Sequence, residues 1–315
     1  MAKVYGFVGK FGSAGSGNGQ FSFTAGSGNT ARACGIAVNA SYIYVLDAGN
    51  SRVQVFNNSS PYAYVGQFGS AGTGSGQFTQ PDSLAIDSTH IYVNESGLGR
   101  VQKFDISSYA FVSSFTSGIL VDLVGMAVDT NFIYYFESSA YLVYWKSSFL
   151  LQYAGSLSGL GAGQRVSDCA VNSTETAIYI VSAYAAFLFK PGRAIVASGV
   201  PITQTEFGVG IRSQGIAVDT NYIYVAGYDS NRITAYDIST LANTDYFGAT
   251  GTADGYFDGI GKIRVYNNKL YVVDTGNSRV QIFDWSDKVA PAAPSGLTLS
   301  CAAGKKILVG WTDNS

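Results

Sequence analysis

Four arginines occupy equivalent places in the sequence, and they are the first side chains that could do chemistry. Each opens a short alternating segment: Arg52 in RVQVFN, Arg100 in RVQKFD, Arg232 in RITAYD and Arg279 in RVQIFD. A guanidinium carries a permanent charge and five N–H donors, so the four arginines could form a ring of cations that binds an anionic ligand. Alternatively, each arginine pairs with an acid of its own loop, such as Asp47 or Asp274, and braces that loop. The recurrence of the residue favours bracing, because a scaffold contact recurs in every repeat and a ligand site usually does not.

Carboxylates are the second set of candidates, because two of them about 5–10 Å apart can cleave a glycosidic bond. The candidates are Glu95, Glu137, Asp168, Glu206, Asp229 and Asp254. No spacing singles out a pair, so a polysaccharide-cleaving lyase or glycosidase is the alternative function rather than the first. The single histidine, His90, argues against multi-histidine metal sites and most histidine-based triads. We predict no cofactor: acid-containing inner strands would suit calcium, but no ligand spacing supports it.

Composition excludes several partners. Of the 315 residues, 13% are charged, and 19 Lys+Arg oppose 21 Asp+Glu. Such a chain lacks the basic footprint of a nucleic-acid binder, and no apolar run reaches the ~18–20 residues that span a bilayer. We therefore expect no nucleic-acid partner and no membrane insertion. Met1 to Gly19 contain no apolar run typical of a signal peptide, and the number and spacing of the three cysteines do not support a disulfide framework.

A repeat must position these side chains. An apolar segment, a turn and a second apolar segment recur six times, beginning at Gly35, Ser83, Gly125, Asp168, Gly215 and Lys262. The spacing of 42–48 residues is that of a four-stranded propeller blade. The two segments are strands a and b, the segment opened by arginine is strand c, and a segment ending in Phe-Gly or a relative is strand d. Asx residues such as Asp129 favour a tight a–b turn.

The ends of the repeat predict a closed ring. The first segment, Val4 to Gly12, is a strand d without strands a–c before it, whereas the sixth copy lacks strand d. We predict that the N-terminal strand completes the sixth blade, which protects the sheet edges. The predicted fold is all-β: a six-bladed β-propeller of four-stranded antiparallel blades over residues 1–287. Residues 288–315 are a linker and the start of a second domain.

The third and fourth repeats depart from the pattern. Their b–c loops are shorter, the Gly-Asn-Ser-Arg element is missing, and Tyr141 and Tyr184 stand in the loops. Exposed tyrosines suit sugar stacking or protein contacts, so these two join the four arginines as predicted binding residues. Simple decay of the repeat is the alternative. The glycine-rich d–a loops contain no phosphate-binding motif and are interpreted as flexible connections between blades.

The motifs resemble a known repeat. The phrase GSGQF…P…LAID…IYV…RVQKFD, from Gly74 to Asp105, and the DxGNSRVQ motifs at Asp47 and Asp274 resemble the NHL repeat, which builds six-bladed propellers. The resemblance implies a binding site on the face that carries the d–a and b–c loops. NHL-type amidating lyases hold a metal with several histidines, which a chain with only His90 does not provide. The RNA-binding relatives use a basic face, which the balanced charge does not predict.

The segment from Pro291 to Ser315 resembles the start of a fibronectin type III domain, with strands around Leu299 and Val309. The two resemblances together imply a non-catalytic binding or structural module of a larger surface or virion protein, comparable to a phage tail component. The expected partners are a protein or glycan ligand and other subunits of an assembly. The expected location is an extracellular surface or a virion, with the cytoplasm as the alternative.

Overall fold

The computed structural model describes residues 5–23, 34–116, 125–136, 140–156, 166–172, 178–182, 186–189, 213–284, 298–302 and 306–310. Before the first repeat lie β1 (Gly6–Phe11), β2 (Ser13–Ala14) and β3 (Gln20–Phe21). Blade 1 comprises β4 (Gly35–Val38), β5 (Tyr42–Asp47), β6 (Arg52–Asn57) and β7 (Tyr64–Phe68), with a 3-10 turn at Ala48–Asn50. Blade 2 comprises β8 (Pro81–Ile86), β9 (His90–Glu95), β10 (Arg100–Asp105) and β11 (Phe111–Thr116).

The later blades repeat this order. Blade 3 comprises β12 (Gly125–Val128), β13 (Phe132–Phe136), β14 (Ala140–Trp145) and β15 (Leu151–Ser156). Blade 4 contributes β16 (Val166–Val171), β17 (Ile178–Ser182) and β18 (Ala186–Phe189) to the described residues. Blade 5 comprises β19 (Ser213–Val218), β20 (Tyr222–Gly227), β21 (Arg232–Asp237) and β22 (Asn243–Phe247). Blade 6 contains β23 (Ile260–Tyr266), β24 (Lys269–Asp274) and β25 (Arg279–Asp284), and the last hairpin is β26 (Thr298–Ala302) with β27 (Lys306–Gly310).

The N-terminal strand closes the ring, as predicted. Strand β1 pairs antiparallel with β25, with Gly6 opposite Asp284 and Phe11 opposite Val280. The sheet of blade 6 therefore has the order β1-β25-β24-β23, and the outer edge of β25 is covered. An uncovered edge would present a row of unpaired backbone groups to other chains, so this pairing protects the last blade.

Six apolar clusters hold neighbouring blades together around the ring. Each cluster combines buried side chains of two adjacent blades, and blade 6 shares its cluster with blade 1. The strand b tyrosines belong to these clusters, as expected from a sheet that packs on both faces. Representative members of one cluster each are Leu46 with Val93, Tyr92 with Tyr135, Phe136 with Ile180, Tyr179 with Ile223, Tyr224 with Leu270, and Tyr271 with Ile43.

The Phe-Gly ending of strand d is a corner that only glycine fits. Gly12 and Gly69 have φ of +101° and +93°, a region that side chains rarely adopt. A Cβ at Gly69 would lie 2.2 Å from Cε2 of Phe78, and one at Gly12 would lie 2.4 Å from Cε2 of Phe21. The chain can turn from strand d into the d–a loop here because no side chain stands between the corner and the buried ring.

The Asx turns between strands a and b are confirmed. Asp129 Oδ1 accepts the backbone N–H of Asn131 at 2.8 Å and that of Phe132 at 2.7 Å. Its second oxygen accepts the hydroxyl of Tyr134 at 2.6 Å. The same arrangement recurs in blade 5, where the Tyr224 hydroxyl donates to Asp219 at 2.7 Å. One acid therefore shapes the turn and anchors the strand b tyrosine beside it.

The C-terminal hairpin lies where two strands were predicted. Strands β26 and β27 pair antiparallel, with Leu299 opposite Val309. The division of the chain at residue 287 stays a prediction. Within the described part of the chain, no helix has both the length and the apolar character needed to cross a bilayer.

Candidate functional site

The predicted arginines lie on the face formed by the b–c and d–a loops, and three of them sit in one repeated arrangement. We call it the acid–arginine brace: an acid that ends strand b, the arginine that opens strand c, and a glutamine two residues later. The three braces are Asp47–Arg52–Gln54 in blade 1, Glu95–Arg100–Gln102 in blade 2 and Asp274–Arg279–Gln281 in blade 6. All three acids are fully buried.

In blade 1 the brace ties the d–a loop to the sheet. Arg52 Nε donates to Asp47 Oδ2 at 2.7 Å, and Nη1 donates to Gln67 Oε1 at 2.8 Å. Its Nη2 donates to the backbone oxygens of Gly17 at 2.7 Å and Gln20 at 3.0 Å. Gln54 donates to the same backbone oxygen of Gln20 at 2.6 Å. All three nitrogens of the Arg52 guanidinium therefore donate to groups of the protein itself.

Blades 2 and 6 repeat these contacts with their own loops. Arg100 donates to Glu95 at 2.6 Å and to the backbone oxygens of Thr73, Gly74 and Gln77. Arg279 donates to Asp274 at 2.7 Å and to three backbone oxygens of residues 252–256. This geometry favours the bracing interpretation for three of the four arginines. In each of the three blades, backbone oxygens of the described part of the d–a loop surround the guanidinium.

Arg232 differs from the other three arginines. Gly227 takes the place of the acid at the end of strand b, directly opposite Arg232, and no ion pair of Arg232 occurs among the residues that the structure describes. The Arg232 side chain is exposed, and its guanidinium carbon lies 4.8 Å from the ring centre of Tyr246, which is itself 55% exposed. Arg232, one of the predicted residues, and its neighbour Tyr246 are therefore both accessible on the loop face.

The other predicted residues are scattered. Tyr141 is half-buried and stacks on Phe136 with ring centres 6.3 Å apart, and Tyr184 lies outside the described residues. Among the candidate carboxylates, Glu95 belongs to a brace, Asp229 is exposed, and Asp254 forms a surface ion pair with Lys10 at 2.5 Å. Asp168 lies in the central channel, while Glu137 and Glu206 fall outside the described residues. Among the described residues, no group of three or more His, Cys, Asp or Glu could hold a metal ion.

The central channel contains a charged cluster of Asp168, Lys262 and Arg264, which we call the channel cluster. Asp168 Oδ2 lies 2.9 Å from Arg264 Nη1, and Asp168 Oδ1 lies 3.4 Å from Lys262 Nζ. The backbone N–H of Ile216 donates to the same carboxylate at 3.1 Å. Burial alone would raise the pKa of Asp168, but the two cations and these hydrogen bonds hold it below its ordinary value. The carboxylate is therefore ionised and joins blades 4, 5 and 6.

A second polar cavity opens on the opposite face, between the a–b turns of blades 2 and 3 and the c–d loop of blade 3. We call it the blade 2–3 cleft; its volume is about 360 Å³, within the range of small-ligand sites. Trp145 lies at its edge with 37% of its surface exposed. The lining residues are Asp87, Ser88, Thr89, His90, Tyr92, Lys103, Thr130, Asn131, Trp145, Lys146 and Ser147.

The charges of the cleft are held in fixed places. Lys146 Nζ lies 2.8 Å from Asp87 Oδ2. Although burial opposes ionisation, hydrogen bonds from Lys146, from the Thr89 backbone and from Tyr92 hold the pKa of Asp87 well below its ordinary value. Burial, followed by the charge of Lys103, lowers the pKa of His90, so this histidine is neutral at neutral pH. Among the lining residues, the charged groups are thus two lysines, Lys103 and Lys146, and one carboxylate, Asp87.

Sequence reasoning missed this cleft. It placed His90 on this face but treated the face only as the one opposite the expected site. The sequence signal for this cleft was Trp145. It is the last residue of strand c in blade 3, where strand c of blades 1, 2 and 6 ends in Asn57, Asp105 and Asp284. Its significance depends on Lys103 and Asp87, which come from the neighbouring blade and meet it only in the folded ring.

Comparisons with known proteins agree on the architecture. Residues 30–154 match the family model DUF5128, described as a 6-bladed beta-propeller. The crystal structure of the Myceliophteria thermophila Cps50 (Swd1) beta-propeller domain aligns with a TM-score of 0.57 at 8% identity, covering 81% of this chain and 97% of that one. The structure of U3-55K aligns with a TM-score of 0.55 at 12% identity, covering 78% and 75%. No curated protein is significantly similar to the chain.

These identities are low enough that the structural matches show the fold alone. More than a thousand solved chains are significantly similar, so the architecture does not select an activity. The family model, the six shared clusters and the closing strand lead to one conclusion. The chain is an all-β, six-bladed β-propeller of four-stranded antiparallel blades, with its N-terminal strand in the last blade.

Proposed function

We propose that this propeller is a non-catalytic binding module whose ligand is an acidic glycan held in the blade 2–3 cleft. The observation that carries the proposal is Trp145, an aromatic face exposed beside two lysines in a cavity of small-ligand size. Sugar rings present apolar faces that pack on aromatic side chains, and their hydroxyls and carboxylates need hydrogen-bond and charge partners at the ring edge.

Two contacts within blade 3 orient the Trp145 side chain. Trp145 packs against Phe132 with ring centres 4.4 Å apart, and its indole N–H donates to Gln152. A side chain already held in one orientation loses little conformational entropy when a ligand covers it. This supports recognition of a ligand unit with an apolar C–H face, such as a pyranose ring.

The charge balance of the cleft favours an acidic sugar over a neutral one. Lys103 and Lys146 oppose only Asp87 among the lining residues, and neutral His90 adds no charge. Lys103 Nζ lies 5.8 Å from the ring centre of Tyr92 and 5.7 Å from that of Phe149, so aromatic faces keep it in place. The carboxylate of a uronic acid would supply the second negative charge opposite the two lysines.

We favour binding over catalysis because three of the four described candidate carboxylates have other roles, and the fourth, exposed Asp229, does not line the cleft. Glu95 is locked by Arg100, Asp168 by the channel cluster, and Asp254 by a surface ion pair. Glycosidic cleavage needs two carboxylates facing one substrate, and none of these three lines the cleft. The polysaccharide-cleaving alternative therefore gains no support from the described residues.

The wider context is part of the same proposal. We propose that the propeller is of NHL type and belongs to a larger modular surface or virion protein. The hairpin β26–β27 would form the first strands of a fibronectin type III-like domain. The loop face, the site first expected, retains Arg232 and Tyr246 as an accessible pair and is the competing location for a ligand.

A matched pair of variants tests the location. Affinity electrophoresis through gels containing alginate, polygalacturonate or dextran measures binding to acidic and neutral polysaccharides. We expect retardation by an acidic polymer but not by dextran, and a loss of ~10-fold or more in affinity, ~1.4 kcal/mol, for Trp145→Ala. Tyr246→Ala, an exposed aromatic on the loop face, should bind as the wild type does.

Three results would contradict the proposal. Loss of binding in Tyr246→Ala but not in Trp145→Ala would move the site to the loop face. Retardation that Lys103→Ala leaves unchanged would remove the charge argument. Release of reducing ends or unsaturated sugars during incubation would show turnover and end the non-catalytic assignment.

A further inference from the structure

Lys103 occupies a position of the repeat that is apolar in the other five blades. It lies on strand c directly opposite the strand b tyrosine, Tyr92. The residues opposite the equivalent tyrosines of the other blades are Val55, Val143, Leu188, Ala235 and Ile282. Those of blades 1, 3, 5 and 6 are buried. Blade 2 therefore places an amine where these blades bury an apolar side chain.

The amine of Lys103 lies between two aromatic rings. Its Nζ is 5.8 Å from the ring centre of Tyr92 in its own blade and 5.7 Å from that of Phe149 in blade 3. Both rings attract the cation. An ammonium has three N–H donors, and no hydrogen-bond acceptor for Nζ occurs among the residues that the structure describes. The rings therefore hold the amine in place and leave its nitrogen open to a ligand in the cleft.

These surroundings change the chemistry of the amine. Burial lowers the pKa of the Lys103 ammonium, while the charge of Asp87 opposes this shift and that of Lys146 adds to it. Only an unprotonated amine is a nucleophile, and proteins activate a lysine by desolvating it or by placing a second cation beside it. Lys103 has both features, and it lines the blade 2–3 cleft, where a solute can reach it.

The second lysine of the cleft provides an internal comparison. Lys146 lines the same cavity, but its Nζ lies 2.8 Å from Asp87 Oδ2 in an ion pair. One lysine of the cleft is thus held by a carboxylate, whereas the other is held only by aromatic rings. The two amines share one solvent environment and should differ in reactivity.

We propose that Lys103 captures a small aldehyde with one carboxylate, as a reversible imine in the blade 2–3 cleft. The ammonium first loses a proton to water. The nitrogen then attacks the carbonyl carbon and forms a C–N bond. The C–O bond breaks, and one water molecule leaves with the carbonyl oxygen and the two hydrogens of the amine. Nothing is oxidised or reduced, and hydrolysis reverses the step.

The charges of the cleft favour an acidic aldehyde over a neutral one. Among the lining residues, two lysines face the single carboxylate of Asp87. A protonated imine keeps the positive charge of the lysine, so a carboxylate on the ligand supplies the second negative charge. The open-chain form of a uronic acid belongs to this class of aldehyde. Capture goes beyond the proposed function, because it requires no polysaccharide.

Reductive trapping with glyoxylate, which carries one aldehyde and one carboxylate, tests the proposal. Sodium cyanoborohydride converts an imine into a stable secondary amine, and peptide mapping by mass spectrometry measures the label at each lysine. We expect Lys103 to be labelled ~10-fold or more faster than Lys146 and Lys10, because one pKa unit changes the unprotonated fraction ~10-fold. Lys10 is a surface control, with 46% of its side chain exposed. Unfolding in urea should abolish the preference.

Two variants and a second probe sharpen the test. Lys103→Arg keeps the charge but forms no imine, so labelling of the whole protein should lose its fast phase. Asp87→Asn releases Lys146 from its ion pair and removes the charge that opposes the pKa shift of Lys103. It should therefore accelerate labelling of both lysines. Acetaldehyde, a neutral aldehyde of the same carbon number, should show a smaller preference for Lys103 over Lys10.

The outcomes separate this proposal from glycan binding. Equal labelling of Lys103, Lys146 and Lys10 in the folded protein, or a fast phase that persists in Lys103→Arg, would overturn capture by Lys103. A larger preference for Lys103 with acetaldehyde than with glyoxylate would contradict the assignment to an acidic aldehyde. If the wild type is not retarded by acidic polysaccharides, glycan binding fails, but the labelling ratios still decide whether Lys103 forms the imine.

Discussion

The acid–arginine brace of blade 6 yields the sharpest stability prediction, because the repeat supplies its own control. Arg279 is 6% exposed and donates to Asp274 and to three backbone oxygens of residues 252–256. Arg232 occupies the same repeat position, is exposed, and contacts the ring of Tyr246. Arg279→Ala and Arg232→Ala therefore remove the same side chain from a buried and an exposed setting.

The magnitudes follow from the partners that each substitution leaves behind. Breaking a buried ion pair by removing one partner costs ~3–5 kcal/mol. Asp274 keeps three other donors, from the backbone of Asp258 at 2.9 Å and from the side chains of Asn277 and Gln281, so we expect the lower end, ~3 kcal/mol. Arg232→Ala loses one exposed cation–π contact, worth ~0.5–1 kcal/mol.

Urea-induced unfolding measures the difference. The two variants should share the m-value of the wild type, because neither changes the surface exposed on unfolding. The midpoint of Arg279→Ala should fall clearly further, by an amount that corresponds to ~2 kcal/mol or more relative to Arg232→Ala. Equal midpoints for the two variants would refute the view that the repeated arginines act as braces.

Two further predictions concern the corner glycines and the cleft acid. Gly69→Ala should destabilise the fold by more than Gly76→Ala. Both glycines have positive φ, but a Cβ at Gly69 would lie 2.2 Å from the Phe78 ring, whereas a Cβ at Gly76 would meet open space. Equal losses of stability in thermal unfolding would contradict this prediction. Burial opposes ionisation of Asp87, but the hydrogen bonds from Lys146, the Thr89 backbone and Tyr92, with the charge of Lys146, together outweigh it, so folding lowers the pKa of this carboxyl. Its stabilising contribution should therefore be complete above about pH 4 and be lost as the pH falls through the folded value. The free-energy difference between wild type and Asp87→Asn should shrink on acidification, and a difference independent of pH from 6 to 2 would be inconsistent with this linkage.

Much of the fold follows from local patterns that the sequence carries openly. Alternating apolar residues define strands, Asx residues such as Asp129 hydrogen-bond their own turn, and the orphan strand before the first repeat needs the sixth blade for a partner. The brace was predictable for the same reason: Asp47 and Arg52 lie on adjacent hairpin strands, directly opposite each other. Local spacing alone brings such a pair together.

The accessible sites depend on the ring. Asp168 of blade 4 and Arg264 of blade 6 meet because blade 5 presents small residues between them. Lys103 of the preceding blade lines the same cleft as Trp145, and no spacing within one repeat encodes this arrangement. The sequence by itself determined the blades, their turns and the closure of the ring. The tertiary structure alone decided which charges face one another across blades, because these contacts are set by the geometry of the closed ring rather than by neighbours along the chain.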